Sequence, residues 1–188
     1  GNCTRELLLR WLAVSVFTPL MRNHTALFTR NQECYRFRNP EDFKGIVTLR
    51  YRLLPYLYSE FMKAALERDM MIRPLAFDYP EDEKARSIED QLLVGESVMI
   101  APVLEKGVKG RIVYLPERMT EVRYAGGEFT CMEVGAGERT VMAPLDQVVF
   151  YIRQGKLVPV GKAAANTAEL DLMDVELLGT GTCYRQYV

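Results

Sequence analysis

Histidine is almost missing from this chain. One imidazole, His24, stands among 188 residues, and the four cysteines, Cys3, Cys34, Cys131 and Cys183, are far apart with no C-x-x-C pair. Together these scarcities leave no ligand set at zinc spacing, and neither a metal nor a cofactor is expected. The cysteines read instead as reduced thiols of a cytoplasmic protein. Charge of one sign is missing too. With 24 Lys+Arg against 25 Asp+Glu there is no basic stripe, and the aromatic residues do not alternate with Lys or Arg, so no nucleic-acid partner is expected. No run approaches the ~20 apolar residues that cross a bilayer. The opening stretch GNCTRELLLRW lacks a charged leader before a clean apolar core, so it does not read as a secretion signal and no membrane association is expected. Without a secretory route, the triplets Asn2-Cys3-Thr4 and Asn23-His24-Thr25 are chance occurrences of a glycosylation pattern.

What is present is an ordinary globular composition, 48% hydrophobic and 26% charged, in two halves of different texture. Up to about Asp90 the periodicity is helical. Thr4 can cap a helix whose apolar residues Leu7, Leu8, Trp11 and Leu12 recur at helical spacing. The run from Val16 to Met21 then reads as a buried strand ending near Arg22-Asn23-His24. A polar loop leads into a second helix with the stripe Ile46, Leu49, Leu53, Leu57, Phe61 and Ala64, interrupted by Pro55, where a kink or restart is expected. Met70 to Tyr79 reads as another buried strand. Beyond Asp90 the period becomes two: SVMIAPV, RIVYLP, EVRYAGGEF, RTVMAP and DQVVFYIRQGKLVPV alternate between glycine-bearing turns, the pattern of an antiparallel sandwich. The final stretch, TAELDLMDVELLGTGTCYRQYV, continues the alternation to the last residue.

Buried strands alternating with helices are a piece of a parallel α/β unit, but two of each cannot cover both faces of such a sheet. The segments RELLLRWLAVSVFTPLMRNH, LRYRLLPYLYSEFMKAA, RPLAFDYPED, EDQLLVGESVMIAPVLEKG, IVYLP and APLDQVVFYIRQGKLVPV occur in one collinear order that resembles the C-terminal part of family 31 of the glycoside hydrolases, the α-glucosidases and α-xylosidases. The resemblance implies an α/β plus all-β architecture: residues 1–90 as the terminal portion of a (β/α)8 TIM barrel, residues 91–188 as the following β-sandwich. It also implies an O-glycosyl hydrolase of α-glucosidase type, acting on terminal α-linked sugars with retention.

Barrel enzymes carry their chemistry at the C-terminal ends of strands, and His24 follows the Val16–Met21 run. The matching histidine of the family hydrogen-bonds the sugar being cleaved, so His24 is the expected substrate-binding residue. Taken alone, a single histidine at a loop start is more readily a structural residue, satisfied by neighbouring backbone. Arg22 is expected to brace the loop by pairing with a carboxylate such as Glu33, and Glu33-Cys34-Tyr35 stands where the family often has Glu-Pro-Trp. The catalytic pair is another matter. Retention needs two carboxyl groups about 5–5.5 Å apart, and the family supplies them from Trp-x-Asp-Met-Asn-Glu and Gly-Asp-Asn type motifs. Neither motif occurs here, so no catalytic residue is assigned within these 188 residues. Asp78, Asp82, Glu83, Glu89 and Asp90 read as a solvated acidic loop, and Tyr114, Tyr124, Phe129 and Tyr151 as core or cross-strand residues. The expected partners are an α-linked oligosaccharide or glycoside and the remainder of the barrel. The apolar faces of a partial barrel are expected to drive self-association into a homo-oligomer. The alternative reading is a non-catalytic β-sandwich module for interaction or scaffolding.

Overall fold

The computed structural model of the protein describes residues 3–188, so Asn2 of the first glycosylation triplet lies outside the described residues. Helix α1 spans Arg5–Ser15 and begins where expected: Thr4 is extended and its hydroxyl accepts the Leu7 N–H, satisfying one of the free donors of the first turn. Helix α2 spans Pro40–Glu67. Its buried stripe runs Phe43, Ile46, Leu49, Leu53, Tyr56, Leu57 and then Glu60, while Phe61 is half exposed. The apolar pattern thus points to the wrong residue in the last turns, because Glu60 has partners on other elements that make burial of a carboxylate tolerable. Pro55 neither ends nor restarts the helix. Its ring seats against Gly161, where an added Cβ would approach Pro55 Cγ to 3.3 Å, so packing offsets the missing N–H.

The second half is a sandwich built on an antiparallel sheet of six strands in the order β1-β2-β3-β8-β5-β6, with ribbons β4/β7 and β9/β10. The strands are β1 Ile72–Pro74, β2 Leu92–Val94, β3 Val98–Ile100, β4 Gly110–Leu115, β5 Met119–Ala125, β6 Glu128–Val134, β7 Gly137–Met142, β8 Val148–Arg153, β9 Leu157–Gly161 and β10 Val175–Gly179. Strand alternation sends the two faces of the six-stranded sheet into two cores. Val94, Val98, Ile100, Val122, Phe150 and Ile152 pack with α1, α2 and β9. Leu93, Met99, Met119 and Tyr151 pack with the β4/β7 ribbon and Leu75. The helices therefore lie directly on the sandwich, and Arg52 of α2 spans the join: it donates to the Gly161 carbonyl at 3.1 Å and the Gly127 carbonyl at 2.8 Å, with its guanidinium 4.4 Å above the Phe129 ring.

Four local expectations are corrected. Residues 16–21 form no strand, because a parallel barrel strand takes its ladder from neighbouring strands and among the described residues no strand pairs with this segment. The strand expected over Met70–Tyr79 shrinks to the three residues of β1, which pair antiparallel with β2 and so join the sandwich sheet; the short helices α3 Leu75–Asp78 and α4 Glu83–Ser87 follow. Arg153-Gln154-Gly155-Lys156 reads in the sequence as a hairpin turn between Val148–Ile152 and Leu157–Val160; in the structure this turn, with Gly155 at φ 70°, joins two sheets, since β8 pairs with β3 and β5 while β9 pairs with β10. After β10 the chain leaves the strand conformation and runs back over α2, where Tyr184 donates its hydroxyl to Glu60 at 2.7 Å and the Tyr187 N–H reaches the Ser59 hydroxyl at 3.0 Å.

Candidate functional site

The region around His24 is built from α1, α2 and the segment between them. Beyond the last turn of α1, Val16 and Phe17 are buried, and Phe17 meets the Phe150 ring edge-on at 5.4 Å. Arg50 on α2 then holds the next stretch. One of its terminal nitrogens donates to the Val16 and Thr18 carbonyls at 2.9 and 2.6 Å, and the other donates to the Pro19 carbonyl at 3.1 Å. The following loop is closed by paired amides. Asn23 Nδ2 donates to the Gln32 carbonyl at 2.8 Å, and Gln32 Nε2 donates to Asn23 Oδ1 and to the His24 carbonyl, each at 2.7 Å.

His24 is therefore fixed through its backbone while its side chain is exposed. Among the described residues the imidazole makes no hydrogen bond, so its nitrogens are available to a ligand. It lines an open concavity of about 660 Å³ together with Leu7, Trp11, Arg22 and Gln32. Imidazole, guanidinium and amide can orient a hydroxylated molecule, and the apolar wall of Leu7 and Trp11 can face its less polar side. No carboxylate lines this concavity, so it holds no acid/base or nucleophile pair. Glu33 does not pair with Arg22: its carboxylate meets Arg36 one helical turn on, at 2.7 Å. No group of three or more His, Cys, Asp or Glu among the described residues is arranged to hold a metal ion, and no helix is long and apolar enough to cross a membrane.

Of the acidic residues near the α3 and α4 helices, Glu83 and Glu89 are exposed, as expected of a solvated loop, while Asp78, Asp82 and Asp90 have structural partners. Asp78 takes a two-pronged contact from Arg73 at 2.8 and 3.0 Å and a further bond from Arg153 at 2.7 Å. Asp82 caps α4 and accepts the Tyr114 hydroxyl at 2.6 Å, and Asp90 pairs with Arg111 at 2.7 Å. Arg73, and then the Arg153 charge, hold the Asp78 carboxyl below the usual carboxylate range. A depressed folded-state pKa contributes stability that is present above the unfolded value of about 3.9 and lost as pH falls through the folded value. Asp78→Asn is accordingly expected to flatten the loss of stability on acidification below about pH 4, as read by urea unfolding at a series of pH values. A slope equal to that of the unsubstituted protein would show that the two arginines do not bias its protonation.

Two buried carboxylates escaped the sequence reading. Glu60 lies in α2, and Glu121 lies in β5 opposite Tyr151. Glu121 contacts Arg123 at 2.8 Å and Arg139 at 3.6 Å. For Glu121 the signal was its inward position in an alternating strand; for Glu60 the helical stripe gave none, since it points to the neighbouring Phe61. The aromatic residues fall as expected: Tyr124 and Phe129 are directly opposed on β5 and β6, with rings 4.9 Å apart.

Two consecutive family models match the chain. The glycosyl hydrolase family 31 TIM-barrel domain covers residues 1–60, and the glycosyl hydrolase family 31 C-terminal domain covers residues 68–158. The chain belongs to family 31 of the glycoside hydrolases. Its relatives include the lysosomal α-glucosidase of Rattus norvegicus, 36% identical over 186 residues, with 90% of this chain and 20% of that protein covered. α-Glucosidase 2 of Bacillus thermoamyloliquefaciens is 35% identical over 168 residues, covering 88% of this chain and 21% of that protein. Among solved structures, the family 31 α-xylosidase of Xanthomonas citri superposes with a TM-score of 0.75 at 29% identity, over 92% of this chain and 19% of that one. The chain thus spans about a fifth of the length of the curated relatives it matches. What it shares with family 31 is the end of the barrel and the sandwich.

Proposed function

We propose that these residues are part of a retaining α-glycosidase of the α-glucosidase type that hydrolyses terminal α-linked sugars. In this reading His24 contacts the sugar at the cleaved bond and the two catalytic carboxylates come from barrel sequence outside the 188 residues. The observation that carries the reading is the pair of family 31 matches in consecutive register across the barrel end and the sandwich, with His24 at the open concavity. Both named relatives are α-glucosidases, which favours a glucoside over a xyloside. The imidazole orients a sugar hydroxyl by hydrogen bonding and transfers no proton. The four free thiols support a cytoplasmic setting.

The test is turnover of an aryl α-glucoside. The 188-residue chain is expected to give none, because no carboxylate pair faces the His24 concavity. A longer polypeptide that adds the barrel strands carrying the two aspartates is expected to release α-glucose first, seen by NMR before mutarotation. Turnover by the 188 residues alone would overturn the assignment of the catalytic pair, and an inert longer polypeptide would overturn the glycosidase reading itself.

A further inference from the structure

The chain between Val16 and Leu20 has no ladder partners, yet it must deliver Arg22 and His24 to a defined place. A strand in a sheet is held by regularly spaced backbone bonds; here the carbonyls of Val16, Thr18 and Pro19 all converge on one guanidinium. Among the described residues no other charged side chain donates to this stretch. Arg50 is suited to that task because its planar fork has five donors in fixed directions, so binding three acceptors leaves it little freedom. The helix that carries it is anchored independently of the loop: Leu49 and Leu53 are fully buried beside it, and Arg52 ties the same turns to the sandwich through Gly161 and Gly127. The loop beyond is closed by the Asn23–Gln32 amides, which hold the His24 carbonyl and leave its ring free.

We propose that Arg50 is a positioning residue: its guanidinium sets the course of Val16–Pro19 and, through that course, the place of the His24 imidazole. The consequence for catalysis rests on the sugar contact proposed for His24. The consequence for structure does not, and the two separate cleanly in experiment.

Because His24 is the only histidine of these 188 residues, its imidazole C–H resonance is a single, self-assigned NMR probe in this chain. In Arg50→Met the three carbonyls lose their common donor; in Arg50→Lys a point charge can recover one or two of them. The His24 resonance is expected to move and broaden in Arg50→Met and to move less in Arg50→Lys, with the far-ultraviolet circular dichroism of α2 retained. Arg52→Met, which loosens the sandwich side of the same helix, is the control and is expected to leave the resonance in place. In the longer polypeptide kcat/KM should fall by roughly 10²-fold in Arg50→Met, the order that a misplaced group costs, and partly recover in Arg50→Lys. Should Arg50→Met fail to fold, the lysine variant carries the test. An unmoved His24 resonance in the Arg50 variants, or an equal shift from Arg52→Met, overturns the positioning role. A shifted resonance with no glycosidase activity in any version leaves the positioning role standing and removes the proposed reaction.

Discussion

Glu60→Ala is expected to lower the unfolding free energy by roughly 3–5 kcal/mol, the cost of removing one partner from a buried charged cluster. The Glu60 side chain is 4% exposed. One carboxylate oxygen accepts Lys63 at 2.8 Å and the Tyr184 hydroxyl at 2.7 Å, and the other accepts the Glu96 N–H at 2.8 Å. Truncation leaves that N–H and the Tyr184 hydroxyl without acceptors in a poorly hydrated place. Lys63 keeps Glu96 at 2.7 Å, so it is the least affected member. The same cluster ties three elements together: helix α2, the turn before β3, and the returning C-terminal segment. Burial and the Glu60 charge hold the Tyr56 and Tyr184 phenols well above their ordinary range, so both act as neutral hydroxyl donors; the Tyr56 hydroxyl donates a hydrogen bond to the Val94 carbonyl at 2.6 Å. With a urea m-value of about 1–3 kcal/mol/M, the midpoint should fall by about 1 M or more at constant m. An unchanged midpoint would mean that Glu60 is not a buried acceptor.

Gly95→Ala should be nearly as damaging, and for a reason that can be separated from the first. Gly95 has φ +62°, and an added Cβ would lie 2.3 Å from Glu60 Cγ and 2.4 Å from its Oε2. The left-handed backbone costs a residue with a Cβ roughly 1–2 kcal/mol, and the collision adds about 1–3 kcal/mol of overpacking. Retreat of the backbone is resisted by the Gly95 N–H, bonded to the Met71 carbonyl at 2.6 Å, and by the Gly95 carbonyl, which accepts Arg73 at 3.3 Å. Since the collision is with Glu60 itself, the two losses must not add: in Gly95→Ala/Glu60→Ala the methyl enters space that the carboxylate vacated. The double-mutant cycle is expected to show coupling of about 1–3 kcal/mol, with the pair less destabilised than the sum. Additive losses would place the cost of Gly95→Ala in the backbone alone.

Much of the fold was legible because its cause is local. The α1 cap at Thr4, the helical stripe of α2 and the period-two segments that became β3 to β9 each follow from spacing within a few residues. The misreadings share a cause as well. Residues 16–21 look like a strand because they are a short, mostly apolar run after a helix, and they fail to become one because a ladder needs a neighbour. Pro55 looks like a break because sequence shows the lost N–H but not Gly161, about a hundred residues on, against which the ring packs. Asp78 and Asp82 look like solvated charges because Arg153 and Tyr114 are remote in the chain. For the site, His24 was visible through its family resemblance. Arg50, which holds the path to it, was hidden in a helix that reads as ordinary amphipathic structure.

By itself the sequence determined the helices α1 and α2 and the alternating strands β3 to β9, and, through the collinear order of six segments, the family to which they belong. Those properties depend on side-chain size, polarity and spacing along the chain. Only the tertiary structure decided that Glu60 rather than Phe61 is buried, that β1 belongs to the sandwich sheet, and that one guanidinium holds the approach to His24. Each of these depends on donors and acceptors brought together from distant positions, with Tyr184 and Glu60 separated by 124 residues, and a one-dimensional pattern of hydrophobicity carries no record of such pairings.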